Sequence, residues 1–127
     1  MNIAIITGAS SGLGKEFAVS LDKSRNEIEE IWLIARRRDR LEELAESLSK
    51  KARVLSLDIT DDSALSSLRG LLEAEKPQIK LLINNAGFGR LGYFKELSAE
   101  DSRDMLRLNC EALTVISRMC LPFMGEN

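Results

Sequence analysis

The sequence has no histidine, two cysteines, two prolines, one tryptophan and one tyrosine among its 127 residues. Without histidine, neither a histidine general base nor a Ser-His-Asp triad can be built. Cys110 and Cys120 stand ten apart on one predicted helix, a rise of about 15 Å that no disulfide spans. The expectation is a reduced, cytoplasmic protein. No apolar run approaches the roughly 20 residues that cross a bilayer. Residues 3–6 are too short an apolar segment, and their flank too little basic, for a signal peptide. A net charge of −2 argues against general affinity for nucleic acid or anionic membranes.

What is present is an ordinary globular balance, 44% apolar and 30% charged, enough for one core. The most informative stretch comes first. The apolar run Ile3-Ala4-Ile5-Ile6 breaks into Thr7-Gly8-Ala9-Ser10-Ser11-Gly12-Leu13-Gly14. Four apolar residues bounded by turn formers read as a strand buried on both faces. Leu13, Phe17 and Leu21 then open a helical repeat of four. Between strand and helix lies a glycine turn leading to an open helix N-terminus, whose N–H groups and dipole suit a phosphate. Gly8 serves the turn, Gly12 lets backbone approach a pyrophosphate, and Gly14 lets the helix pack close on the sheet. The spacing G-x-x-x-G-x-G is wider at its first gap than G-x-G-x-x-G. It is not a Walker loop either, because Ala9 and Glu16 stand where that motif has glycine and Ser/Thr. A plain strand-to-helix turn is the alternative.

Strand and helix then alternate without a linker. Residues 31–35, 54–57 and 81–83 read as further strands. Leu41, Leu44, Ala45 and Leu48 mark a second helix, and Leu65, Leu68, Leu71 and Leu72 a third that starts on Asp61-Asp62. Residues 22–27 read as an exposed crossing. Ser98 with Asp101 predicts the cap of a long last helix carrying Met105, Leu106, Leu108, Leu113 and Ile116. This alternation predicts a doubly wound parallel sheet of order 3-2-1-4 with helices on both faces.

Two loops after strands carry chemistry. Arg36, Arg37 and Arg38 occupy the end of the second strand, where a dinucleotide fold usually has an acidic residue for the ribose. Arginines at a helix start oppose its dipole. Arg36 and Arg37 therefore suit the 2′-phosphate of NADP, while a solvated run balanced by Asp39, Glu42 and Glu43 is the alternative. Asn84-Asn85-Ala86-Gly87 ends the fourth strand at the same edge. It offers uncharged donors and acceptors beside a glycine that permits close approach, or simply an Asn/Gly turn.

The loop at residues 7–14 and the Asn84-Asn85-Ala86-Gly87 run together resemble the two cofactor signatures of the short-chain dehydrogenase/reductases. The resemblance covers the whole chain and implies a single Rossmann-type NAD(P)-binding domain over residues 1–127, as the N-terminal portion of a longer fold. It implies cofactor contacts from Gly8, Ser10, Ser11, Gly12, Leu13, Gly14, Arg36, Arg37, Asn85, Ala86 and Gly87. NADP(H) is preferred on the arginines, with NAD(H) as the alternative. It also implies that Asp58 and Ile59 line the adenine pocket, with the carboxylate accepting from the exocyclic amine. Asp58 working with Thr60 and Asp61 at a helix start is the equal alternative. Asn109 matches the helix asparagine that supports a proton relay through water, although periodicity alone reads it as a solvent-facing side chain. Residues 87–92 would form one wall of the substrate site or a mobile connection.

The family's acid/base tyrosine, with lysine four residues later, is not found: Tyr93 is followed at that distance by Leu97. The expected function is thus an NADP-dependent oxidoreductase acting on a small carbonyl or alcohol, represented by its cofactor-binding half and inactive alone. A non-catalytic NADP(H)-binding module or an assembly fragment is the alternative. The fourth strand, apolar and uncharged, makes a poor open edge. Homo-oligomerisation through that edge or the last helix is expected.

Overall fold

The computed structural model describes residues 1–87 and 93–125. Four strands, β1 (Asn2–Thr7), β2 (Glu30–Ala35), β3 (Lys51–Ser56) and β4 (Gln78–Asn84), form one sheet of order β3-β2-β1-β4. All three pairings are parallel, with Ile5 opposite Trp32 on one side and Leu82 on the other. The predicted architecture and strand order are therefore the observed ones. Parallel neighbours need crossovers, supplied by α1 (Gly12–Ser24), α2 (Arg38–Ser47) and α3 (Asp62–Glu75).

Strand alternation divides the core in two. Ile3, Ile5, Trp32 and Ile34 face one side with Leu65, Leu68, Leu72 and Ile116. Ala4, Ile6, Ile31 and Leu33 face the other with Ala18, Leu21, Leu41 and Leu44. Because both faces are covered, the strands read as continuous apolar runs rather than alternating ones.

In helix α1 the apolar repeat of four is not the buried face. Gly14, Ala18 and Leu21 are buried, whereas Leu13 is 69% and Phe17 40% exposed. Small residues at 14 and 18 allow the helix axis to lie against the sheet, which turns the neighbouring large side chains outward. The helix also runs to Ser24, taking half of the expected crossing. Strand β3 begins at Lys51, earlier than its apolar run suggests, because Lys51 and Ala52 pair with Glu30 and Ile31.

At the amino end of the sheet the sequence reading missed a buried carboxylate. Glu30 is 1% exposed. Its Oε1 accepts from Trp32 Nε1 at 2.6 Å, and Lys51 Nζ lies 3.3 Å from Oε2. Arg53 stacks 4.9 Å from the Trp32 ring centroid and pairs with Glu75 at the end of α3. This edge of the sheet is charged, in contrast to Leu81-Leu82-Ile83 on β4.

The last helix is not one regular helix. Ser98 and Asp101 form the predicted capping box, starting α4 (Ala99–Leu106). Residues Arg107–Ala112 then adopt wider π-helical turns before α5 (Leu113–Cys120). Of the expected apolar set only Ile116 is fully buried, and Leu106 is 62% exposed. The wider turns change the phase between α4 and α5, so one stripe drawn through both cannot face one core.

The turn after α2 is held by a single carboxylate. Asp22 on α1 accepts from Ser49 N at 2.9 Å and Lys50 N at 2.7 Å. Burial works against its ionised form, but the two N–H groups, with the Lys50 and Lys23 charges, outweigh this and hold its pKa below the ordinary value. A carboxyl so depressed contributes stability at neutral pH that is lost as pH falls through its folded value. The urea midpoint is expected to drop between about pH 5 and about pH 3. In Asp22→Asn the drop should be smaller, and an unchanged pH profile would remove this carboxylate from the account.

Candidate functional site

The carboxyl ends of β1, β2, β3 and β4 open on a groove of about 830 Å³. The glycine loop forms its floor. Thr7, 1% exposed, accepts at Oγ1 from the backbone N–H groups of Asn85 and Ala86, both at 3.1 Å. Asn85 Nδ2 donates to Gly8 O at 3.2 Å, and Ala9 N donates to Ile34 O at 3.3 Å. The loop is thus stitched to the strands on both sides of β1.

Two loop glycines have backbones that side chains disfavour, Gly8 at φ +66° and Gly12 at φ +58°. A Cβ on Gly8 would lie 2.8 Å from Ala86 Cα, while one on Gly12 would meet nothing within 4 Å. Gly12 therefore borders open groove. Gly14 lies beneath the groove rather than in its lining, and a Cβ there would lie 2.1 Å from Gly8 O. Ser11 precedes α1 in an extended conformation without a side-chain cap bond, and the first turn carries no acidic residue. By contrast, α3 is capped by Asp61 and α4 by Ser98. Helix α2 also starts without a side-chain cap bond but carries Asp39 in its first turn. Of the starts of α1 to α4, only that of α1 has neither a cap nor an acidic residue to offset its dipole.

Arg36 and Arg37 line the groove from the end of β2. Helix α2 starts at Arg38, so Arg36 lies before it and does not oppose its dipole. Arg37 pairs with Asp39 at 3.3 Å and Arg38 with Glu42 at 3.6 Å. Arg36 makes no ion pair among the described residues, and its backbone carbonyl accepts from Ser56 Oγ at 3.0 Å. The balancing of the charge run thus holds for two arginines and leaves Arg36 facing the groove.

Asp58 also lines the groove. Its Oδ1 accepts from Thr60 N at 3.0 Å and Thr60 Oγ1 at 2.6 Å. The Thr60 hydroxyl, its N–H and the Arg36 charge hold the carboxyl below its ordinary pKa against the opposing effect of burial. The helix cap is Asp61, whose side chain accepts from Ser63 N, so Asp58 is not the cap. Ile59 touches the groove but is chiefly core, at 6% exposure.

Ser10, Ser11, Leu13, Asn85, Ala86 and Gly87 complete the lining among the residues expected from sequence. Asn109 stands in the π-helical segment, with its Oδ1 2.8 Å from where a Cβ on Gly87 would be. It adjoins the groove without lining it. Thr60, Asp104 and Leu108 line the groove and were not assigned to a site from sequence. The Asp-x-Thr turn pattern could have indicated Thr60. Residues 88–92, the expected substrate wall, lie outside the described residues. No group of three or more metal-ligating side chains occurs among the described residues. None of their helices is long and apolar enough to cross a membrane.

Residues 2–127 match the family model described as short chain dehydrogenase. Among curated relatives, the NADP-dependent 3-hydroxy acid dehydrogenase of Schizosaccharomyces pombe is 37% identical over 97% of this chain and 49% of its own length. Sulfoacetaldehyde reductase 2 of Chromohalobacter salexigens is 33% identical over 98% of this chain and 50% of its own. The chain therefore spans about half the length of these relatives. Among solved structures, a short-chain dehydrogenase from Sphingobium yanoikuyae in complex with NADPH superposes with a TM-score of 0.83. It is 30% identical, over 96% of this chain and 48% of the other.

Proposed function

The chain belongs to the short-chain dehydrogenase/reductase family, and on that premise we propose that it forms the cofactor-binding part of an NADP-dependent oxidoreductase acting on a carbonyl or alcohol. One observation carries the reading. The uncapped start of α1 and Arg36, which makes no ion pair among the described residues, line the same groove. Two separated positive ends are what a pyrophosphate and a 2′-phosphate need.

In this reading the α1 N–H groups and Ser11 hold the pyrophosphate, and Gly12 leaves room for it to approach the backbone. Arg36, aided by Arg37, holds the 2′-phosphate, while Asp58 accepts from the adenine amine and Gly87 borders the nicotinamide side. The cofactor, when bound, supplies the hydride chemistry. Asn109 offers an amide that both donates and accepts, suited to holding a water of a proton relay beside Gly87. Relatives described as an NADP-dependent dehydrogenase and as bound to NADPH support the choice of cofactor. Self-association through the apolar β4 edge or the exposed side of α4 and α5 belongs to the same proposal, supported by exposed Leu106 and Leu113.

A non-catalytic NADP(H)-binding module is the second reading, and it would use the same groove. Titration of the 127-residue chain with NADPH and NADH, followed by nicotinamide fluorescence, is expected to show tighter binding of NADPH. Addition of ketones or aldehydes is expected to give no NADPH oxidation. NADH binding as tight as NADPH would overturn the cofactor choice, and substrate-dependent oxidation would overturn the account of the catalytic groups.

A further inference from the structure

The turn after β3 holds a carboxylate in one orientation, and the inference drawn from it rests on the cofactor reading above. Thr60 donates to Asp58 twice, from its N–H at 3.0 Å and from its hydroxyl at 2.6 Å, and both bonds end on Oδ1. The terminal torsion of an aspartate is broad and roughly two-fold. The two oxygens are equivalent, so a half-turn changes nothing. What two bonds from different directions fix is the tilt of the carboxylate plane, with one oxygen held on Thr60 and the other left clear of it. Oδ2 accepts from no described residue, while Asp58 and Thr60 both line the groove. The Thr60 hydroxyl has only one proton to give, and it is already committed to Asp58. Thr60 therefore has no hydroxyl proton left for a ligand and acts through its neighbour.

We propose that Thr60 is a positioning residue that holds the Asp58 carboxylate with Oδ2 towards the base of the bound dinucleotide, so that the groove selects a 6-amino purine over a 6-oxo purine. An adenine amine donates to Oδ2. The 6-oxo group of hypoxanthine sets its own lone pairs against the carboxylate, so the same oxygen that rewards one base rejects the other. The Thr60 hydroxyl, then its N–H and the Arg36 charge, favour the ionised form of Asp58, which keeps it an acceptor at neutral pH.

The test compares NADPH with its analogue carrying hypoxanthine in place of adenine, titrated against the full 127-residue chain. The wild-type chain is expected to prefer the adenine form by about tenfold or more, the range for a hydrogen bond to a charged group. Thr60→Val keeps the shape and removes the hydroxyl, and should bring the ratio down to about threefold or less, with Thr60→Ala as a repeat should valine disturb the fold. Thr60→Ser should keep the wild-type ratio. In an Asp58→Ala background Thr60→Val should leave the ratio unchanged, because the residue acts only through that carboxylate. A structural role alone would weaken both dinucleotides equally, and that result would overturn the proposal. So would a wild-type chain without preference, or a serine variant that behaves like valine. If the wild-type chain binds neither dinucleotide, the cofactor reading itself fails and this inference falls with it.

Discussion

Gly14→Ala is expected to destabilise the fold by about 3 kcal/mol or more, the upper end of what overpacking costs. The added Cβ would lie 2.1 Å from Gly8 O and 2.7 Å from Asn85 Nδ2. Neither neighbour can retreat cheaply. Gly8 O is backbone in a residue held at φ +66°, whose own Cα side already abuts Ala86. Moving it breaks the Asn85–Gly8 bond and pulls on the Thr7 bonds to Asn85 and Ala86. A fall of more than about 1 M in the urea midpoint is expected, with loss of NADPH binding. Gly70→Ala is the control. It lies exposed within α3 with nothing within 4 Å of an added Cβ, so alanine should stabilise by about 0.5–1 kcal/mol. Equal midpoints for Gly14→Ala and wild type would refute the close-packing account.

Arg36→Asp should weaken NADPH binding by about 100-fold or more, combining the loss of a charge-assisted bond with a carboxylate set against a phosphate. The effect should exceed that of Arg37→Asp, because Arg37 already spends part of its charge on Asp39 and Arg36 does not. Affinity for NADH should be retained or should rise, since its 2′-hydroxyl can donate to the new carboxylate. Parallel fluorescence titrations of both dinucleotides read this directly. An NADPH affinity unchanged by Arg36→Asp would remove this arginine from the site.

The sheet order was legible because each strand is an apolar run followed by a helical repeat, and right-handed crossovers leave few ways to join them. The capping box at Ser98 was legible for the same local reason, since all its partners lie within four residues. What escaped was non-local. Phe17 belongs to an apolar repeat in sequence, and only the approach permitted by Gly14 and Ala18 turns it outward. Buried Glu30 needs Trp32, Lys51 and Arg53 from two strands to be tolerable, and no window of sequence contains that set with its geometry. The π-helical turns around Asn109 have no composition signal at all. At the site, the glycine loop and the arginines announced themselves, but which arginine stays unpaired depends on where α2 begins, a boundary that periodicity does not fix.

The bonds from Thr7 to Asn85 and Ala86 close 78 and 79 residues of chain. The glycine loop is complete in sequence after fourteen residues, yet three of the bonds that shape it come from the far end of β4 and form only when β4 is docked on β1. Such long closures are entropically the late ones to form. A partly folded chain holding β1 and α1 alone would have the motif without the groove. Ligand affinity is thereby coupled to the whole sheet, and a bound dinucleotide stabilises the fully wound state in proportion to the logarithm of its concentration over Kd. The earliest segment of the chain becomes a sensor of whether folding has finished.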